Sequence, residues 1–111
     1  MNSSIVIALP KIDDAKKIRT ILNRHGFSVA AVCSTASTAL ASMSELDGGI
    51  LICGYKLTDR YYRDVLEDIP SYFEMLLLAS GRVIAEAPTS VLTVEMPMKV
   101  SDLVNTVDMM L

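Results

Sequence analysis

Few residues in this chain have the type and spacing to do chemistry. Asp13, Asp14 and Asp59 lie within a few residues of the ends of the first and third apolar runs, where carboxylates could hold a hard cation. Asp13 and Asp14 open an amphipathic stretch and Asp59 precedes another, so helix starts account for all three. Ser34, Thr35, Ser37 and Thr38 could imitate a phosphate-binding helix start. Capping a helix uses the same groups without a ligand. The single histidine, His25, has no nucleophile–base pairing to enter, and it falls at a helix C-terminus, where a cation is favoured. Cys33 and Cys53 lie late in apolar runs and read as small core residues rather than a disulfide. One His and two distant Cys make no zinc site. Gly48-Gly49 precedes a strand, so it is not a dinucleotide fingerprint. The expectation is no catalytic residue, no metal and no cofactor. Against it stands a small-ligand reading, in which Ser80, Tyr55, Lys56 and Asp59 are the polar groups of a crevice.

The elements that must position these residues alternate. Ser4 to Leu9 is a continuous apolar run stopped by Pro10, as in a strand buried on both faces. A helix follows, with Ile18, Leu22 and His25 on one face beside Ala15, ended by Gly26. Phe27 to Cys33 is the second strand. Ser34 or Thr35 caps a helix that places Ala36, Ala39, Leu40 and Met43 at core spacing. Asp47-Gly48-Gly49 turns into the third strand, Ile50 to Cys53. A loop from Gly54 to Asp59 leads to a short helix from about Arg60 to Asp68. Phe73 to Ala79 is the fourth strand. Gly81 to Ser90 has room for a helical turn or two at most. Val91 to Glu95 is the fifth strand, and Val100, Leu103, Val104, Val107 and Leu111 share one face of a final helix. This alternation predicts one α/β domain over 1–111, with a parallel sheet between two helical layers.

Composition bounds the rest. The 111 residues are 51% hydrophobic with a net charge of −3, which fits one globular domain and argues against broad nucleic-acid binding. Lys11, Lys16, Lys17, Arg19 and Arg24 fall together but are interleaved with Asp13 and Asp14, as on a solvated helix face. No apolar run reaches the ~18 residues of a membrane span, and no basic segment leads an apolar one at the N-terminus. The expected location is the cytoplasm.

The strand ends carry a further pattern. Ile5-Val6-Ile7-Ala8-Leu9-Pro10, His25-Gly26-Phe27, Gly54-Tyr55-Lys56-Leu57-Thr58, Leu78-Ala79-Ser80 and Met96-Pro97-Met98 follow one another in an order that resembles the receiver domain of bacterial response regulators, over essentially the whole chain. The resemblance implies a flavodoxin-like three-layer sandwich, strand order 2-1-3-4-5, with a shortened or missing fourth helix. It also implies a mechanism: an acid pair holding Mg²⁺, a phosphoacceptor Asp, a Ser or Thr and a Lys on the phosphate, and an aromatic switch. Here Leu9 and Pro10 fall at the acid pair, Gly54 at the phosphoacceptor, Met96 at the Lys and Thr93 at the switch. Only Ser80 keeps its type. A hard cation needs oxygen ligands and phosphoryl transfer to a side chain needs a nucleophile, so the resemblance implies a receiver that neither binds Mg²⁺ nor accepts phosphate. The family also implies a cis Met96–Pro97 bond.

Leu-Pro in place of the acid pair looks most like receivers of regulators that carry a C-terminal ANTAR domain and act as transcription antiterminators by binding RNA. Such RNA-binding helices are not in these residues, so RNA is expected only through an output domain beyond them. A homodimer through the last strand and helix is expected, with Met96, Met98, Met109 and Met110 as candidate interface residues. The alternatives are an adaptor for a regulatory protein partner and the small-ligand crevice.

Overall fold

The computed structural model describes residues 4–111. Five parallel strands, β1 (Ser4–Ala8), β2 (Val29–Cys33), β3 (Gly49–Gly54), β4 (Phe73–Ala79) and β5 (Leu92–Glu95), alternate with helices α1 (Ile12–Arg24), α2 (Ala36–Ser44), α3 (Tyr62–Asp68), α4 (Gly81–Ala85) and α5 (Val100–Met110). The sheet order is β2-β1-β3-β4-β5. This is the flavodoxin-like arrangement expected from the alternation and the resemblance, with the fourth helix cut to five residues.

The central strands β1, β3 and β4 are apolar on both sides because helices cover both faces. Alternation then divides the core in two. Val6, Ala8, Leu51, Cys53, Met75 and Leu77 face α2 and α3, with Ala36, Ala39, Met43, Tyr62 and Val65. Ile5, Ile7, Ile50, Ile52, Leu76 and Leu78 face α1 and α5, with Ala15, Ile18, Leu22, Leu103 and Val107. Ala36 and Ala39 let α2 lie close on the sheet. The register pairs Ala8 with Cys33 and Cys53, and Gly54 with Leu78, so the strands end together at one edge.

Several boundaries differ from expectation. The first strand stops at Ala8 rather than Leu9, the second starts at Val29 rather than Phe27, and the fifth at Leu92 rather than Val91. α3 begins at Tyr62, not Arg60, because the loop before it closes on itself. Lys56 bridges Tyr61 in antiparallel fashion, Leu57 N–H donates to Arg60 O at 2.7 Å, and Tyr62 N–H donates to Tyr55 O at 2.9 Å.

α1 ends in a Schellman turn. Gly26 adopts φ +85°, its N–H donates to Asn23 O, and Phe27 N–H donates to Leu22 O. His25 does not join the buried face of α1. It is the exposed C-cap residue, with Nδ1 2.9 Å from Ile21 O. Asp13 and Asp14 are in the first turn of α1, but the N-cap is Lys11 and no side chain caps it; they act through the dipole alone. On α5, Leu103 and Val107 are buried, whereas Val100 and Leu111 are exposed.

Candidate functional site: the crevice at the strand ends

The loops after β1, β3 and β5 meet in one open cavity of about 620 Å³, with Leu9, Pro10, Gly54 and Met96 among its lining residues. Four of the five positions singled out at the strand ends are thus brought together. Ser80 is not. It is exposed at the N-cap of α4 with no side-chain cap bond, outside the cavity. Thr93 pairs with Leu77 and so shares the sheet face covered by α2 and α3.

The floor of the crevice is close-packed carbon. A Cβ placed on Gly54 would stand 3.1 Å from Leu9 Cδ2 and 3.4 Å from Pro10 Cδ. Leu9 therefore presses on the place a Cβ at 54 would take, and Pro10 stands at ordinary contact distance from it. The acid in the lining is Asp14, on the first turn of α1. Among the described residues no group of three or more His, Cys, Asp or Glu could hold a metal ion. The donors present do not fit Mg²⁺, which demands octahedral oxygen ligation.

Asp59 has a different task from the one the sequence suggested. It neither starts α3 nor reaches the crevice. Its carboxylate spans to α2, Oδ1 accepting from Ala36 N–H at 2.7 Å and Oδ2 from Ser37 N–H at 3.1 Å. The Ala36 N–H does most to hold this carboxyl below the usual carboxylate range, and the Ser37 N–H adds to it. Thr35 Oγ1 accepts from Thr38 N–H at 3.1 Å, and Thr58 Oγ1 donates to Ser34 O at 3.1 Å. The start of α2 is fully satisfied by protein groups, which leaves no phosphate cradle there. Asp59→Ala is expected to cost about 1 kcal/mol at neutral pH, the usual worth of a helix cap. Because the folded-state pKa is depressed, that stabilisation is present above the ordinary carboxylate pKa and is lost as pH falls through the folded value. Urea unfolding of both proteins at neutral pH and at about pH 3 checks this: the gap should narrow in acid.

Tyr55 forms a wall between the crevice and a smaller cavity of about 260 Å³ bounded by Tyr61, Tyr62 and α4. Its ring meets Tyr61 edge-on at 5.3 Å and Tyr62 at 6.0 Å. Tyr62 is buried and Tyr61 half exposed, as two adjacent tyrosines require. Lys56 Nζ lies 5.2 Å from the Tyr61 ring centroid, and the Arg63 guanidinium donates to Glu86 O. Of the small-ligand set, Tyr55 and Lys56 line the crevice while Ser80 and Asp59 do not. Lys17, Ile18 and Ile21 of α1 complete one wall. Counted from Asp14 they fall at i+3, i+4 and i+7, the spacing that puts them on one face of α1.

The methionines divide. Met96 and Met109 are exposed, whereas Met98 and Met110 pack against the core. Met96 and Met98 also line the crevice, so the four do not form one surface. Cys33 and Cys53 are free and buried. Burial raises both thiols, Cys53 to about 12, with a hydrogen bond to Ser42 partly offsetting the effect at Cys33; both are inert as nucleophiles. The Met96–Pro97 bond is cis. Among the described residues no helix is long and apolar enough to cross a membrane.

No protein-family model matches this chain, and neither does any curated protein sequence. Solved structures do. A CheY-like response regulator receiver domain from Methylobacillus flagellatus is similar over 100% of both chains, with a TM-score of 0.82 at 12% identity. The fold here is that of a response-regulator receiver domain. A second receiver, from Bacillus halodurans, matches with a TM-score of 0.73 at 19% identity, over 100% of this chain and 98% of that one. A protein from a family of redox sensors in the streptococci, evolved from two-component response regulators, matches at 0.81 and 16% identity over 98% of this chain. This chain spans 51% of that protein's length. In receiver-fold terms, the crevice at the carboxyl ends of the strands is the place where such sheets bind ligands. Here the strand ends themselves offer carbon, and the charged groups in the lining are Lys17, Lys56 and Asp14.

Proposed function

We propose that this chain is a degenerate receiver domain that relays a signal without phosphorylation and performs no catalysis. The observation that carries the reading is the contact of Leu9 and Pro10 over Gly54, where a Cβ would stand 3.1 and 3.4 Å from their side-chain carbons and where none of the three side chains offers an oxygen. The streptococcal neighbour, described as a redox sensor evolved from response regulators, supports the idea that this fold is reused for other signals.

The role we assign is dimerisation and signal relay in transcription regulation in the cytoplasm. Leu9-Pro10 in place of the acid pair is the feature that favours an antitermination regulator of the ANTAR type. RNA would then be met by a separate output domain, since this segment is net acidic. A homodimer would use β5 and α5, where Met96, Met109, Val100 and Leu111 leave apolar surface in solvent; a regulatory protein partner is the competing occupant. Sedimentation equilibrium is expected to show a concentration-dependent dimer. Met109→Glu should weaken it at least about tenfold, the cost of burying an unpaired charge. A strict monomer at about 1 mM would defeat the dimer reading, since it would put any self-affinity below roughly 4 kcal/mol.

A further inference from the structure

We infer that the crevice is a binding site for a small amphipathic monoanion, a carboxylate carried on an apolar body. The proposal rests on the reading that this crevice has lost phosphoryl chemistry, and it names what replaces that chemistry as the controlling event.

Three observations select this occupant. The cavity, about 620 Å³, lies within the range of sites that take a small organic ligand. Its floor and walls are Leu9, Ile18, Ile21, Leu78 and Met98, a surface that water solvates poorly and an apolar chain covers well. Its charged groups are two ammoniums and one carboxylate: Lys17 from α1 and Lys56 from the β3–α3 loop, against Asp14. Among the described residues the ion pair is Arg60 with Asp68, and neither crevice lysine is paired. The site is therefore locally positive in a chain of net charge −3. A carboxylate head matches two separated ammoniums, and the one acid in the lining, Asp14, repels a dianion more strongly than a monoanion.

The geometry also supplies a relay. An occupant of the crevice touches Tyr55, and the Tyr55 ring packs on Tyr61 and on buried Tyr62 at the head of α3. Filling the crevice thus bears on the loop and helix that follow β3.

Decanoate is a suitable probe, with decanol as its neutral counterpart, titrated into the intact chain at neutral pH by calorimetry. Saturable one-to-one binding of decanoate is expected, with a dissociation constant below about 1 mM. Lys17→Gln and Lys56→Gln should each weaken it about fivefold, the worth of one exposed charge contact, and should leave decanol unchanged. Ile21→Trp, which fills the cavity from its half-buried rim, should abolish binding. Methyl chemical shifts of the unmodified protein give an independent readout: decanoate should move Leu9, Ile18, Ile21 and Leu78 first. Absence of saturable binding, equal affinity for decanol, or shifts centred elsewhere would each overturn the proposal. Phosphoryl labelling of the same sample separates the two readings: incorporation defeats the degenerate-receiver reading, whereas no incorporation with no decanoate binding defeats this one alone.

Discussion

Gly54→Asp is expected to lower the melting temperature by about 10 °C and still leave the chain inert toward phosphodonors. Gly54 is buried at the end of β3, and a Cβ there already presses Leu9 Cδ2 at 3.1 Å. Leu9 is 9% exposed, so it cannot yield without opening the crevice floor. The new side chain would have to displace Leu9 carbon before it could reach the lysines that line the crevice. Overpacking a filled site costs up to about 3 kcal/mol, and in a domain this size each kcal/mol moves the transition by about 4 °C. Leu9→Ala added to Gly54→Asp should recover part of the loss by making room, so the two changes should be non-additive. Calorimetry of the two single variants and the double variant reads this directly. An unchanged melting temperature in Gly54→Asp would mean that the floor is not packed as described.

Gly49→Ala is expected to be the more damaging change, with a loss above about 4 kcal/mol, a large part of a typical domain's stability. Gly49 opens β3 with φ +149°, and a Cβ built on it falls 1.8 Å from Ser4 O and 2.6 Å from Ser4 N. Both are backbone atoms of the paired strand β1, so no rotamer change relieves the clash. The central β1–β3 pair would have to part at its start, and the loops that form the crevice hang from the other end of those two strands. Gly26→Ala is the control. Nothing lies within 4 Å of a Cβ there, so only the left-handed backbone is strained, at about 1 kcal/mol. Circular-dichroism melts should show a cooperative transition for Gly26→Ala, little shifted, and a lost or strongly lowered one for Gly49→Ala.

The sheet was legible in the sequence because its central strands are unbroken apolar runs, and only strands covered on both faces read that way. That Leu9, Pro10, Gly54 and Met96 would gather at one edge was legible because each sits at or just past a strand end, a place that local pattern marks. What local pattern does not mark is a contact across the chain. Asp59 caps a helix that begins 23 residues earlier, and nothing near it in sequence announces that. The same limit hid the gathering of Lys17, Ile18 and Ile21 with Tyr55, Lys56 and Met98 in one crevice, since those partners lie on other elements. It also made Met96, Met98, Met109 and Met110 look like one surface, although the turn of α5 and the path of the chain after β5 put two of them against the core. His25 was placed on the wrong side because it continues the spacing of Ile18 and Leu22, but α1 has already ended there and the chain has begun to turn at Gly26.

The proposed function requires a receiver fold that does not accept a phosphoryl group. Incubation of the intact chain with acetyl phosphate and Mg²⁺, followed by intact mass spectrometry under conditions that preserve acyl phosphates, tests it most directly. A single unmodified mass is expected, unchanged by raising the phosphodonor concentration. A stoichiometric phosphoryl adduct on this chain would contradict it.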